Sequence, residues 1–126
     1  MSGPVLVIED NPTNQKLVVK YLSAKGYRVV SAATTQEADA AFGAERPRLV
    51  LVDVSLPGED GLSWVRRMRG GGGPLVPMVA LTAHALPADR ERALAAGCED
   101  FITKPVELKQ LLRVMEKYLG PPPASS

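Results

Sequence analysis

Five side chains able to bind ions or donate protons stand directly behind or at the close of short apolar runs. Glu9 and Asp10 follow Val5-Leu6-Val7-Ile8, and Asp53 follows Leu49-Val50-Leu51-Val52. Thr82 closes Met78-Val79-Ala80-Leu81, and Lys104 follows Asp100-Phe101-Ile102-Thr103, just ahead of Pro105. If the runs bring their ends together, three carboxylates share one crevice and repel one another, and a hard divalent cation is the usual resolution. Mg2+ takes oxygen ligands at about 2.1 Å in octahedral geometry and keeps several waters, so a shallow carboxylate cluster suits it. Mn2+ favours the same donors. Thr82 adds a hydroxyl donor and Lys104 a fixed positive charge. A nucleophilic carboxylate oxygen, a metal, a hydroxyl and an ammonium together suit a phosphoryl group.

That chemistry requires the runs to be neighbouring strands with their carboxyl ends together. Arg28-Val29-Val30 supplies a fifth run. In chain order the first, third and fourth, at Val5, Leu49 and Met78, lack period-two alternation, as strands buried on both faces of a parallel sheet do. Helix-period segments lie between them. The first runs from Pro12 to Lys25, with Asn11 as its cap and Gly26 as its stop, and Leu17, Tyr21 and Leu22 are expected to face the sheet. The second opens on the capping box Thr34-Thr35-Gln36-Glu37. The third follows Gly61 through Trp64, Val65 and Met68, and the fourth runs from Pro87 to Ala96, closed by Gly97. The fifth carries Leu108, Leu111, Leu112, Met115 and Leu119 at helical spacing, ended by Gly120. Strand and helix alternate five times, which predicts an α/β sandwich built from βα units with right-handed crossovers. In such sheets ligands bind outside the carboxyl ends of the strands.

Composition sets the outer bounds. A chain of 126 residues, 45% apolar and 23% charged, is long enough for one domain to bury a sizeable core without a disulfide or structural metal. The formal net charge of +1 and the lack of a dense basic stripe argue against a nucleic-acid or membrane-surface partner. The single cysteine, Cys98, suits a reducing compartment, and no stretch approaches the roughly 20 apolar residues of a membrane span. The cytoplasm is the expected location. Gly70-Gly71-Gly72-Gly73-Pro74 follows a helix, with no Lys-Ser/Thr after it, and so reads as a loop and not a phosphate cradle. The expected domain covers 4–119, with 120–126 a flexible tail or linker stump.

The ordered set Val7-Ile8-Glu9-Asp10-Asn11, Asp53 with Leu56-Pro57 and Gly61 behind it, Thr82-Ala83 and Lys104-Pro105 resembles the response regulator receiver family, the CheY-like superfamily. The similarity spans about Val5 to Leu119. The Asp10-Asn11-Pro12-Thr13-Asn14 opening and the Gly97 to Pro105 segment look most like stand-alone cell-cycle receivers and receivers of hybrid kinases. The resemblance implies the flavodoxin-like fold, a doubly wound sheet of five parallel strands in the order 2-1-3-4-5, for which a family member is a standard example. It implies that Asp53 accepts a phosphoryl group from a histidine kinase or a histidine phosphotransfer protein. Glu9, Asp10, Asp53 and the backbone carbonyl of Ser55 would hold Mg2+. Thr82 would donate to the phosphoryl group, and Lys104 would pair with Asp53 or its phosphate. Lys104-Pro105 would be a cis peptide, a form essentially confined to X-Pro bonds. Ser55 and His84 occupy positions that tune phosphate lifetime, and Thr82 with Phe101 would form the switch. A downstream protein would read the face made by the fourth helix, fifth strand and fifth helix.

Plain alternatives stand beside these roles. In the weaker, plain reading Glu9 and Asp10 are a solvated strand end and a helix-capping pair, Asp53 a turn residue, Lys104 a surface lysine ahead of a helix-starting Pro105, and Thr82 a cap for the fourth helix; for His84 the plain reading, a solvated loop histidine, is the favoured one. Trp64 reads as packing and Cys98 as structural. Two departures from the family pattern matter: Glu9 stands where aspartate is common, and Phe101 where tyrosine is frequent, so the hydroxyl of that aromatic is lost. Three functions compete. A phospho-accepting signalling module fits every residue above. A hydrolase with an aspartyl nucleophile would want a substrate cap that the short loops do not supply. A flavin-binding or purely structural domain would want a phosphate loop where Glu9 and Asp10 instead repel phosphate. Neither the cognate kinase nor the downstream target is legible, and homodimerisation through the fourth-helix face is left open.

Overall fold

Alternate residues of each inner strand divide between two hydrophobic cores, one on either face of the sheet, and this division sets the whole architecture. The computed structural model describes residues 3–71, 76–83 and 86–122. The strands are β1 (Val5–Ile8), β2 (Val29–Ala32), β3 (Leu49–Asp53), β4 (Met78–Thr82) and β5 (Asp100–Thr103). They form one parallel sheet in the order β2-β1-β3-β4-β5. The helices are α1 (Pro12–Ala24), α2 (Thr35–Glu45), α3 (Gly61–Gly70), α4 (Pro87–Ala96) and α5 (Leu108–Leu119). Val5, Val7, Leu49, Leu51, Val79 and Leu81 pack with residues of α1 and α5, including Val18, Leu22, Leu111 and Met115. Leu6, Ile8, Val50, Val52, Met78 and Ala80 pack with residues of α2, α3 and α4. Every residue of β1, β3 and β4 is buried, whereas the edge strands β2 and β5 are partly exposed. The sequence signals this: three continuous apolar runs for the centre, two mixed ones for the edges.

Three details differ from the sequence reading. First, β2 starts at Val29 and reaches Ala32, because it pairs with all four residues of β1, from Val5↔Val29 to Ile8↔Ala32. Arg28 is left outside and reaches Glu45 at 2.8 Å. Second, Leu17 is 47% exposed, while Val18 and Leu22 are buried and Tyr21 is half-buried. Helical residues advance by about 100°, so centring the buried stripe on Val18 and Leu22 turns Leu17 outward. Third, β3 and β4 each extend one residue further, taking Asp53 and Thr82 into the ladder as partners of Leu81 and Thr103. Thr82 is therefore not the cap of α4, which opens at Leu86 with no side-chain cap at all.

Capping otherwise follows the sequence. Asn11 accepts from the Asn14 N–H and Thr34 from Glu37; α3 has a cap the sequence reading did not name, Asp60, which accepts from Ser63. Glu37 returns its carboxylate to the N–H of Ala33, one residue ahead of the cap. Trp64 is fully buried; its Nε1 donates to Asp39 at 2.8 Å, and its ring meets Phe42 edge-on. Cys98 is buried too, and burial pushes its thiol up to about 11. Beyond α5, Pro121 is exposed and Pro122 buried. The glycine-rich segment past Gly71 lies outside the described residues, as do residues 123–126. Among the described residues, no helix is long and apolar enough to cross a membrane.

Candidate functional site

Parallel register brings the chemistry together. Ile8 is level with Val52, so the next residues along, Glu9 and Asp53, emerge side by side at the carboxyl end of the sheet. Both are buried to 2% exposure. Glu9 continues the ladder by one rung, its N–H donating to the carbonyl of Ala32 at 2.9 Å. On the far side, Leu81↔Ile102 and Thr82↔Thr103 deliver Lys104 to the same end. The Lys104 N–H donates to the Thr82 carbonyl at 2.7 Å, and the Lys104-Pro105 peptide is cis.

Lys104 bridges the two buried acids: its Nζ lies 3.0 Å from Glu9 Oε1 and 2.9 Å from Asp53 Oδ2. The other carboxylate oxygens accept backbone donors, Glu9 Oε2 from Asn11 at 3.1 Å and Asp53 Oδ1 from Ser55 at 2.9 Å. Burial pushes Glu9 above the usual carboxylate range, and its hydrogen bond with Asp53 adds to that, beyond what Lys104 and the Asn11 N–H offset. Burial works against charge on Asp53 as well, but hydrogen bonds with Glu9, Lys104 and the Ser55 N–H outweigh it and hold Asp53 below its ordinary value. For Lys104 burial favours the neutral amine, yet the bonds to Asp53 and Glu9 win and raise it. The two acids thus divide the work. Glu9 takes a proton first, and Asp53 keeps its charge beside a permanent cation.

Asp10 is exposed, and one oxygen from each of Glu9, Asp10 and Asp53 falls within 4.8 Å of the others. Two buried carboxylates and one reachable from solvent are hard oxygen donors with room for waters, which fits Mg2+ or Mn2+ and not a soft metal. Thr82 is 7% exposed at the end of β4, and Ser55 is exposed. Phe101 lies two residues back along β5 from Thr103, half-buried, with the Arg90 guanidinium 5.4 Å from its ring centre. His84 lies outside the described residues.

Surrounding residues hold the acceptor loop. A Cβ on Gly61 would fall 2.1 Å from the Asp53 carbonyl oxygen, so only glycine lets α3 start this close to β3. Gly58 turns the loop at φ 78°. Arg67 on α3 grips Glu59 in the loop and Asp39 on α2 at 2.8 and 3.1 Å, and its guanidinium holds Glu59 below the ordinary carboxylate range. Sequence reading missed Arg67, Asp39 and Gln15. The first two resemble ordinary surface charges, and Gln15 meets the Glu9 carbonyl, its Nε2 donating at 2.9 Å, only where α1 docks on the strand ends. A groove lined by Asn14, Leu17, Val18, Lys104, Pro105 and Val106 shares Lys104 with the site. A larger hollow beside Phe42, Arg46, Arg48 and Tyr118 contains none of the strand-end acids and plays no part in this chemistry.

The family model described as "Response regulator receiver domain" matches residues 5–116. The polar-differentiation response regulator DivK of Brucella anthropi is 32% identical over 121 residues, covering 95% of this chain and 98% of DivK. Among solved structures, the receiver domain of a sensor histidine kinase from Pseudomonas aeruginosa, determined with a magnesium ion coordinated in its active-site cleft, is 37% identical. It superposes with a TM-score of 0.83 over 95% of this chain and 99% of that one. Chemotaxis protein CheY4 of Vibrio cholerae is 26% identical, with a TM-score of 0.87 over 94% of this chain and all of that one.

Proposed function

This chain belongs to the response regulator receiver family of two-component signalling, and from that premise we propose that it accepts a phosphoryl group on Asp53. The observation that carries the reading is the state of Asp53: buried, held ionised, 2.9 Å from Lys104 and flanked by Glu9 and Asp10. A carboxylate oxygen of Asp53 forms the bond to phosphorus as the bond from phosphorus to the donor's histidine nitrogen breaks, and the imidazole leaves with that electron pair. Lys104 turns from pairing with the bare carboxylate to pairing with a phosphoryl oxygen, and the Thr82 hydroxyl donates to another. Mg2+ or Mn2+, held by Glu9, Asp10, Asp53 and the Ser55 carbonyl, would neutralise charge gathering on the phosphoryl oxygens. The domain is not a classical enzyme; its catalysis is confined to gaining and losing its own phosphate.

The donor is a histidine kinase or a histidine phosphotransfer protein. The exposed Leu17 and the groove beside Lys104 offer an apolar landing next to the acceptor. For output, Thr82 moves toward the phosphate and Phe101 turns into the space it leaves, reshaping the face of α4, β5 and α5 for a downstream protein. The helix α4 suits that movement: its buried residues are only Ala93 and Ala96, and Leu94 points to solvent. The folded unit in this reading is 4–119, with 120–126 as tail or linker.

The test is incubation with a small acyl phosphate and Mg2+, followed by intact mass measurement. One phosphoryl mass gained per chain, stable to acid, labile to base and lost in Asp53→Ala, is the expected result. Labelling that survives Asp53→Ala, or continuous turnover of phosphate esters, refutes it.

A further inference from the structure

We propose that Gln15 is a positioning residue for the acidic site, acting through the backbone of Glu9 to hold Asp10 against Asp53; this rests on the reading of these carboxylates as a metal site. The side chain of Gln15 reaches from α1 to the ends of two strands, its Nε2 donating to the carbonyl of Glu9 at 2.9 Å and to that of Ala32 at 3.4 Å. The last backbone rung between β1 and β2 is the Glu9 N–H on that same Ala32 carbonyl. Past it β2 has ended and the chain turns into α1, so Gln15 adds a rung made from a side chain. Its own backbone is fixed, because its N–H donates to the Asn11 carbonyl at 2.9 Å within a helix that Asn11 caps.

The three carboxylates do not depend equally on this rung. Glu9 and Asp53 are buried and locked by Lys104 and by backbone donors. Asp10 is exposed, so the path of the backbone through Glu9 decides where its carboxylate sits. Rotation about the Cα–C bond of Glu9 swings Asp10 relative to Glu9, and the bond from Gln15 to the Glu9 carbonyl opposes that rotation. Removing the rung should leave the fold and the acceptor in place while scattering the third ligand.

Gln15→Met keeps the length of the side chain and deletes the donor. Losing one hydrogen bond of ordinary worth predicts that Mg2+, titrated by calorimetry into the phosphate-free chain, binds about three- to tenfold more weakly. The Mg2+ concentration that half-saturates acyl phosphate labelling should rise by the same factor, with the rate at saturating Mg2+ within about twofold of wild type. Without metal, amide exchange at Asn11, whose N–H rests on Glu9, should quicken. Val114→Ala on α5 controls for general loosening; it should lower thermal stability at least as much and leave Mg2+ affinity unchanged. Wild-type affinity in Gln15→Met overturns the proposal, as does a fall in the saturated rate with affinity intact. A wild-type chain that binds no Mg2+ overturns the metal reading along with it.

Discussion

Replacing Lys104 with methionine keeps most of the stem and removes the ammonium that bridges Glu9 and Asp53 at 3.0 and 2.9 Å. Removing one partner from a buried ion pair costs about 3–5 kcal/mol, because the remaining charge has lost both water and counter-ion. Here the lysine side chain is 20% exposed, so solvent relieves part of the loss and the cost should be reduced to about 2–3 kcal/mol. For a domain of this size that lowers the melting temperature by roughly 6–15 °C. The pH dependence carries a sign. In the wild type, Asp53 is lowered in the folded state, so its contribution is present above the unfolded value and lost as pH falls through the folded one. Lys104 is raised, so its contribution is complete below the unfolded lysine value and lost as pH rises through the folded one. In Lys104→Met both buried acids, and not Glu9 alone, should sit above their unfolded values, and the variant gains stability as acid protonates them. The gap between the two proteins should therefore be wide near pH 8 and narrow toward about pH 5. Urea unfolding with chelator present, followed by the fluorescence of the buried Trp64, reads this directly. An unchanged midpoint at pH 8, or a gap that widens in acid, would refute the electrostatic account.

Gly61→Ala places a Cβ 2.1 Å from the Asp53 carbonyl oxygen, so α3 or the end of β3 must shift; the expected loss is about 3 kcal/mol in chemical denaturation, with slower acyl phosphate labelling. A stable variant that labels at the wild-type rate would show the close approach to be dispensable. Thr82→Ala should still take up phosphate on Asp53, but hydrogen exchange along α4 should no longer respond to it. A wild-type exchange response in that variant sinks the proposed coupling.

Much of the fold was legible because burial on both faces leaves a strong mark. The runs at Val5, Leu49 and Met78 have no polar alternation, and only the centre of a parallel sheet explains three of them between helices. Bounds set by local chemistry, such as Pro12 behind Asn11 or Gly97 behind Ala96, also agreed with the structure. Leu17 did not, since a leucine next to a valine in a helix does not say which of the two faces inward. That depends on the rotation of α1 against β1 and β2, which rests on contacts distant in sequence.

The acidic site divides in the same way. Residue types and order placed Glu9, Asp10, Asp53, Thr82 and Lys104 at strand ends, because a strand's last residue is marked by where its apolar run stops. Which acid ionises more easily is a different kind of property. Asp53 and Glu9 are 44 positions apart, and only their register, with Lys104 between them, makes one the more easily ionised and the other the more easily protonated. The same holds for Gln15, an ordinary helix residue until its carboxamide meets the carbonyls of two strands. Apolar periodicity and turn chemistry are local and can be read along the chain. Charge states and side-chain rungs are sums over neighbours at distances of a few ångströms, and those neighbours exist only once the strands have paired.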